Sequence, residues 1–299
     1  AAPNSLADSI QQVAPANIDP NAGGTGVHGA LSQYAPPLNI VELFYTKNGV
    51  PINEDKTYNY ARRYELDTAT QDDKYYIQPG YVTAYLNFER EPRFYADLGF
   101  DGGIWYGQGK YDDENTWHVE GRYGSYSGKA RESQYSITGY YAKKLVNFLN
   151  TITQASGQYN VQRYAWPIIR LADLYLYYAE ALNEINGPTG EALSWINQVR
   201  ARAGIPTVEE SWANYSTNPA EYQSKEGFRK IIHRERLIEM AFEGDRYWDL
   251  RRWKEAEQEM NQPVKGWDIL QADPVYYYQR VTLFSQVFKK RDYFWPIME

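Results

Sequence analysis

Apolar residues between Leu171 and Leu182 recur at i, i+3, i+4, i+7, i+8 and i+11 (Leu171, Leu174, Tyr175, Tyr178, Ala179, Leu182), which places them on one face of an α-helix ended by Gly187-Pro188. A second helix starts at once. Thr189 suits its N-cap, Glu191 lies near the positive helix start, and Ala192, Ile196, Val199 and Ala203 form its buried stripe until Gly204 and Pro206 stop it. So short a break obliges the two helices to pack antiparallel, as in a tetratricopeptide-like hairpin. A third, highly charged helix is predicted from about Lys225 to Phe242, with a bend or restart near Gly244.

The rest of the chain is less periodic. Residues 1–35 read as irregular, turn-rich chain because Pro15, Pro20, Asn21, Gly23, Gly24, Gly26 and Gly29 crowd together. A short helix over Ile40 to Tyr45 is followed by a turn at Lys47-Asn48-Gly49. The runs Tyr81 to Phe88 and Pro92 to Leu98 fit a helical turn or an extended segment equally at their length. From Phe100 to Ser136 no period is sustained, and Gly, Tyr, Trp and acidic residues dominate. A loop that long inside a compact domain is usually functional or disordered, and its aromatic content argues for order.

Composition sharpens this picture. The 299 residues include 29 Tyr and 9 Trp against 10 Phe, an excess of rings that carry a hydrogen-bonding group and suit half-wet surfaces. A net charge of −7 argues against nucleic acid, whose phosphates demand clustered Lys and Arg. Zero cysteines exclude disulfides, thiolate catalysis and cysteine zinc sites within the chain. No apolar run approaches the roughly 18 residues of a membrane span. The start at Ala1 has neither a basic nor an apolar leader region, so a signal peptide is absent or already removed.

Candidate chemistry is sparse. Gly24-Thr25-Gly26-Val27-His28-Gly29 has dinucleotide-motif spacing but follows Pro20-Asn21 and no apolar strand, so it lacks the context that gives the motif meaning. His28, His118 and His233 are not at metal-ligand spacing, and the acidic runs around Glu54, Asp72 and Asp112 match no EF-hand loop. Glu89, Glu91, Asp112, Asp113, Glu114 and Glu120 are near enough in sequence to be glycosidase suspects, yet no pair lies in apolar surroundings that would raise a carboxyl pKa. In the charged helix, Glu235, Glu239 and Glu243 at four-residue steps, with Arg236, Arg246 and Asp249, predict a structural ion-pair network, and Trp248 can stack on Arg252. The aromatic loop is the economical binding candidate. Trp105, Tyr106, Tyr111 and Trp117, with Tyr123 and Tyr126, alternate with Gly and polar residues and can present flat rings to the C–H faces of sugars; the alternative is that Trp105 and Trp117 pin the loop to the helices.

With these residues laid out, the chain resembles the SusD/RagB family of outer-membrane nutrient-binding lipoproteins. The match is carried by Glu91-Pro92-Arg93-Phe94-Tyr95-Ala96, Gly139-Tyr140-Tyr141-Ala142-Lys143-Lys144, Trp166 through Ala181, Arg234 through Trp253, Ile196 through Gly204, and Trp295-Pro296-Ile297. Departures are modest: Glu91 stands where Asp is usual, and Pro37-Leu38 replaces a Thr-Gln pair. The resemblance covers roughly residues 36–299 as the C-terminal part of a family member, with residues 1–35 leading in, 100–136 as the aromatic loop and 166–253 as the helical-repeat core. It implies a mostly α fold of tetratricopeptide-like repeats with long aromatic-rich irregular loops. It also implies a non-catalytic, cofactor-free subunit of Bacteroidetes polysaccharide utilisation that binds oligosaccharide or polysaccharide at the cell surface. Its expected partners are a SusC-like TonB-dependent outer-membrane transporter and the N-terminal half of the same protein, with lipid anchorage through a cysteine outside this chain. A peptide-binding member of the family and a glycoside hydrolase are the alternative readings.

Overall fold

The computed structural model describes residues 4–20, 30–130, 134–153 and 158–294. The Gly24 to Gly29 run with His28, and the closing Trp295-Pro296-Ile297, lie outside the described residues. The helices are α1 (Asn4–Val13), α2 (Leu38–Val41), α3 (Pro92–Asp97), α4 (Leu171–Asn186), α5 (Gly190–Ala203), α6 (Val208–Tyr215), α7 (Lys225–Glu239), α8 (Asp245–Arg252), α9 (Ala256–Glu259) and α10 (Pro274–Tyr277). Short strands fill the loops: β1 (Leu66–Thr68), β2 (Val82–Ala84), β3 (Leu98–Phe100), β4 (Ile104–Trp105), β5 (Trp117–His118), β6 (Tyr140–Ala142), β7 (Thr151–Thr153), β8 (Gln158–Asn160), β9 (Pro263–Trp267) and β10 (Arg280–Ser285). They pair only as two-stranded antiparallel ladders, β1 with β2, β3 with β6, β4 with β5, β7 with β8 and β9 with β10. The protein is mostly α, with helical hairpins and long aromatic-rich irregular segments.

The hairpin forms as the sequence requires. Thr189 Oγ1 accepts from Ala192 N at 3.2 Å, Gly204 closes α5 in the left-handed conformation (φ +74°), and Ala192, Ile196, Val199 and Ala203 are all buried. Ser224 caps α7 through Gly227 N, and Gly244 (φ +97°) separates α7 from α8, which is the restart read from the sequence. Three elements differ from expectation. Residues 4–13 are helical where irregular chain was expected, α2 spans Leu38–Val41 and not Ile40 to Tyr45, and α4 turns only part of its predicted stripe, Tyr175, Ala179 and Leu182, to the core. The fully buried residues of α4 are Ala172, Leu176, Ala179 and Asn183, while Leu171 and Leu174 point outward and half-exposed Tyr178 lies on the flank beside α5, its ring 5.6 Å from that of Trp195 and its hydroxyl donating to Glu191 at 3.2 Å. Small Ala side chains let the helices approach closely, so they hold the inner face although Leu and Tyr are more apolar. The two undecided runs resolve as strand β2 with a 3-10 turn and as helix α3, whose Pro92 sits in the first turn.

Two of the motif stretches meet in the interior. Arg93, beside Pro92, pairs with Glu91 at 2.7 Å, Glu235 at 2.7 Å and Glu239 at 3.1 Å, and Arg200 of α5 reaches Glu235 at 2.9 Å. Arg170 spans Glu239 and Glu243, and Arg236 binds Asp249 at 2.6 Å together with Asp173 and Asp245. The charged helix thus carries a structural ion-pair network, with Arg236 on Asp249 as expected. Its glutamates, however, pair with Arg93, Arg170 and Arg200 from other elements, Arg246 pairs with Glu259, and Arg252 lies over Tyr177 and Trp253 where Trp248 was expected. Breaking one partner of such a buried group costs about 3–5 kcal/mol because the remaining charge is left unpaired. Arg252 lies over the rings of Tyr177 and Trp253, and His233 stacks on Trp253 at 3.6 Å between ring centres.

Candidate functional site

The aromatic loop is held by a short hairpin in which Ile104 pairs with His118 and Trp105 with Trp117. Adjacent residues of a strand point to opposite faces. Trp105 therefore turns inward, 1% exposed, into a small core with Ile18, Val119 and Tyr141, while Tyr106 turns out at 39%. The Lys143 amine sits 5.6 Å from the Trp105 ring centre and donates to Ile104 O and Tyr95 O, both at 2.9 Å, tying the hairpin to the end of α3. Burial pulls the Lys143 pKa down to about 8 against the attraction of Asp97, and burial pushes Asp97 up to about 6 against Lys144 and Arg93.

Beyond β4 the chain turns through Gly107 (φ +96°), Gln108 (φ +49°) and Gly109 (φ +90°). A Cβ on Gly107 would lie 2.3 Å from the Phe148 carbonyl oxygen, so glycine is required for that approach. Gln108 N then donates to Phe148 O at 2.9 Å. The contact sets the Phe148 ring beside two loop tyrosines: centroids lie 6.1 Å apart for Tyr106 and Phe148, 6.4 Å for Tyr111 and Phe148, and 6.1 Å for Tyr106 and Tyr111. Tyr111 is 45% and Phe148 52% exposed, and Tyr106 Oη donates to Tyr111 O at 3.2 Å. Beside this cluster a cleft of about 340 Å³ is lined by Ala96, Tyr106, Lys143, Lys144, Val146 and Phe148, with Trp105 as its floor.

Trp117 serves a different hollow. Its indole N–H donates to Gln108 O at 3.1 Å and Lys110 Nζ lies 3.8 Å from its ring centre, so part of the ring is already covered. The ring borders a polar cavity of about 440 Å³ with Lys74, Gln78, Asn115, His118 and Tyr126. Of the four residues expected to stack on a ligand, the structure brings Tyr106 and Tyr111 together, sets Trp117 at the second hollow, and buries Trp105 in the core beneath the first cleft, 1% exposed. Phe148, which completes the cluster, carries no periodic or motif signal that sequence reading could have used.

Several acidic suspects are already paired, and Asp113, Glu114 and Glu120 border the polar cavity beside Trp117. Glu91 is buried and accepts from Tyr45 N at 2.8 Å while pairing with Arg93, Glu89 pairs with Lys47, Glu114 with Lys74 at 2.7 Å, and His118 with Glu120 at 3.3 Å. Among the described residues no group of three or more His, Asp and Glu side chains gathers as a metal ion would require. Among them, too, no helix is long and apolar enough to cross a membrane.

Helical hairpins bearing a ring-decorated loop and ligand-sized clefts define a helical-repeat scaffold with its candidate sites in the loops. The SusD family model matches residues 6–299, and the chain belongs to that family. It is similar to the SusD-like protein P2 of Formosa agariphila, with 40% identity over 86 residues, 29% of this chain and 16% of that protein. It is also similar to the SusD-like protein P38 of the same organism, with 37% identity over 101 residues, 33% of this chain and 19% of that protein. Among solved structures, BT4246 superposes with a TM-score of 0.73 at 26% identity over 95% of this chain and 45% of its own. A SusD-like carbohydrate binding protein from Bacteroides fragilis (BF0978) gives a TM-score of 0.60 at 25% identity over 96% of this chain and 49% of its own. The chain thus spans about half the length of these solved relatives and a smaller part of the curated ones.

Proposed function

We propose that this chain captures an oligosaccharide or polysaccharide at the cell surface, without cleaving it, and delivers it to a SusC-like TonB-dependent transporter. The observation that carries the reading is the exposed Tyr106, Tyr111 and Phe148 cluster at the mouth of its cleft. Flat rings cover the C–H faces of a sugar, the Tyr111 hydroxyl offers a donor to its edges, and the Tyr106 hydroxyl oxygen, whose hydrogen goes to Tyr111 O, offers an acceptor. Family membership and the carbohydrate-binding description of the Bacteroides fragilis relative support the same ligand class. In this account the protein sits on the outer membrane through a lipid on a cysteine outside the chain.

Covering a half-exposed ring contributes about 1–1.5 kcal/mol, half of the value for full burial, so each Ala replacement weakens binding by about tenfold. The test is calorimetry against a panel of plant, host and microbial glycans, comparing the wild type with Tyr106→Ala and Phe148→Ala. Loss of binding with the fold retained supports the platform, and unchanged affinity refutes it. Product analysis on the same samples decides between capture and hydrolysis.

A further inference from the structure

Two lysines, Lys143 and Lys144, line the cleft beside Tyr106 and Phe148, and among the described residues no acidic side chain does. The whole chain carries a net charge of −7, so a cleft wall with cations and no acid is a local exception. The polar cavity at Trp117 is the contrast. There Lys74 and Lys110 stand among Asp113, Glu114 and Glu120, and Lys74 pairs with Glu114 at 2.7 Å.

The two cleft amines differ. Lys144 Nζ is committed, donating to Glu239 O at 2.6 Å and pairing with Glu243 at 2.7 Å and with Asp97 at 3.8 Å. Lys143 Nζ donates only to the backbone carbonyls of Tyr95 and Ile104, and among the described residues no carboxylate lies at ion-pair distance from it. An ammonium has three N–H donors, so one is left over. Carbonyl dipoles do not neutralise a full charge, and a cation withdrawn from water gains most from an anion beside it. Burial accordingly pulls the Lys143 pKa down to about 8, with Asp97 attracting the charge from farther off. The cleft also shares Ala96, Lys144 and Val146 with a larger hollow of about 580 Å³. In that hollow Arg93, Arg170 and Arg202 join Lys144 against three carboxylates, and Arg93 Nη2 is buried with no hydrogen-bond partner among the described residues.

We infer that the glycan captured at this cleft is acidic: a sugar ring stacks on Tyr106 and Phe148 while its anionic group pairs with the Lys143 amine. Carboxylates and sulfate esters share that chemistry. This narrows the capture reading, on which it rests, to a substrate class, and it makes Lys143 the residue that selects acidic over neutral sugars.

The test is calorimetry with oligogalacturonates and alginate oligomers, each beside its carboxyl-reduced neutral form, and with a sulfated galactan beside its desulfated form. The wild type should bind at least one acidic form at least tenfold more tightly than its neutral counterpart, and the pair that shows the difference tells carboxylate from sulfate. Lys143→Met should abolish the difference and leave the neutral form's affinity unchanged. Because Lys143 also ties the hairpin to α3, pH gives a second readout on the wild type. The titratable groups facing Lys143 are Asp97 on α3, Lys144 with its partner Glu243, and Tyr106 after β4; Asp97, at about 6, stays ionised above neutrality. Lys143 loses its proton as pH rises through about 8, so affinity for the acidic form should fall about tenfold from pH 7 to pH 9 while that for the neutral form holds. Equal affinities for acidic and neutral forms, or a flat pH profile for the acidic one, overturn the inference; if Tyr106→Ala still weakens that binding, glycan capture stands. Binding to none of these glycans also overturns it, and the broader panel of plant, host and microbial glycans then decides capture separately.

Discussion

Glu180 joins α4 to α7 and α8, and its charge can be removed without removing its shape. Its carboxylate accepts from Arg252 Nη2 at 2.6 Å and from the Trp253 indole at 3.1 Å, with His233 Nε2 3.7 Å away. Burial alone would raise its pKa, but the bonds from His233, Arg252 and Trp253 prevail and hold it at about 2, against 4.5 for a free Glu. Between those values the unfolded chain binds more protons than the folded one, so the contribution is complete above pH 4.5 and is lost as pH falls toward 2. At 1.36 kcal/mol per unit the shift corresponds to about 3 kcal/mol, with about 1 kcal/mol remaining at pH 2.5. Glu180→Gln mimics the protonated side chain, so the variant should be less stable by about 3 kcal/mol at pH 6 and by about 1 kcal/mol at pH 2.5. Burial would lower the His233 pKa, but Glu180 and Glu255 raise it above the ordinary value, and Glu180→Gln removes one of those two carboxylates. Urea unfolding of both proteins across this range, with unchanged m-values, is the assay. A stability difference that stays constant from pH 6 to pH 2.5 would refute the electrostatic account.

Other substitutions separate scaffold from platform. Trp105→Ala removes a fully buried ring and should cost about 3–5 kcal/mol in chemical denaturation, whereas Tyr106→Ala on the adjacent, outward position should cost under about 1 kcal/mol. Gly107→Ala places a methyl group against the Phe148 carbonyl, so hydrogen exchange at Gln108 N should accelerate and glycan affinity should fall by about the factor seen for Phe148→Ala. Arg93→Met strands Glu91, Glu235 and Glu239 without their shared cation and should lower stability by about 3–5 kcal/mol, read by urea denaturation at pH 7.

The contrast between α4 and α5 shows what sequence pattern resolves. In α5 one apolar stripe faces one capped direction, and the predicted residues are the buried ones. In α4 apolar residues spread over adjoining faces, so periodicity establishes a helix without establishing its inner side; packing on α5 and α7 buries Ala172, Leu176 and Ala179 and leaves Leu171 and Leu174 outside. The same limit applies at the loop. Its composition marks Tyr106 and Tyr111, but the inward turn of Trp105 depends on a two-residue strand, and Phe148 arrives through a backbone contact with Gly107 and Gln108 about forty residues away. The family motifs were legible for a physical reason. Glu91-Pro92-Arg93 and the charged helix are two sides of one buried ion network, which tolerates little change in charge or spacing.

Capture of a glycan by the exposed ring cluster is measured most directly by glycan-panel calorimetry with product analysis on wild type and the Tyr106→Ala, Phe148→Ala double variant. The wild type should bind at least one glycan class with no product released, and the double variant, its fold intact, should bind about a hundredfold more weakly. Binding that the double variant retains in full, or release of shortened sugars by the wild type, would contradict it.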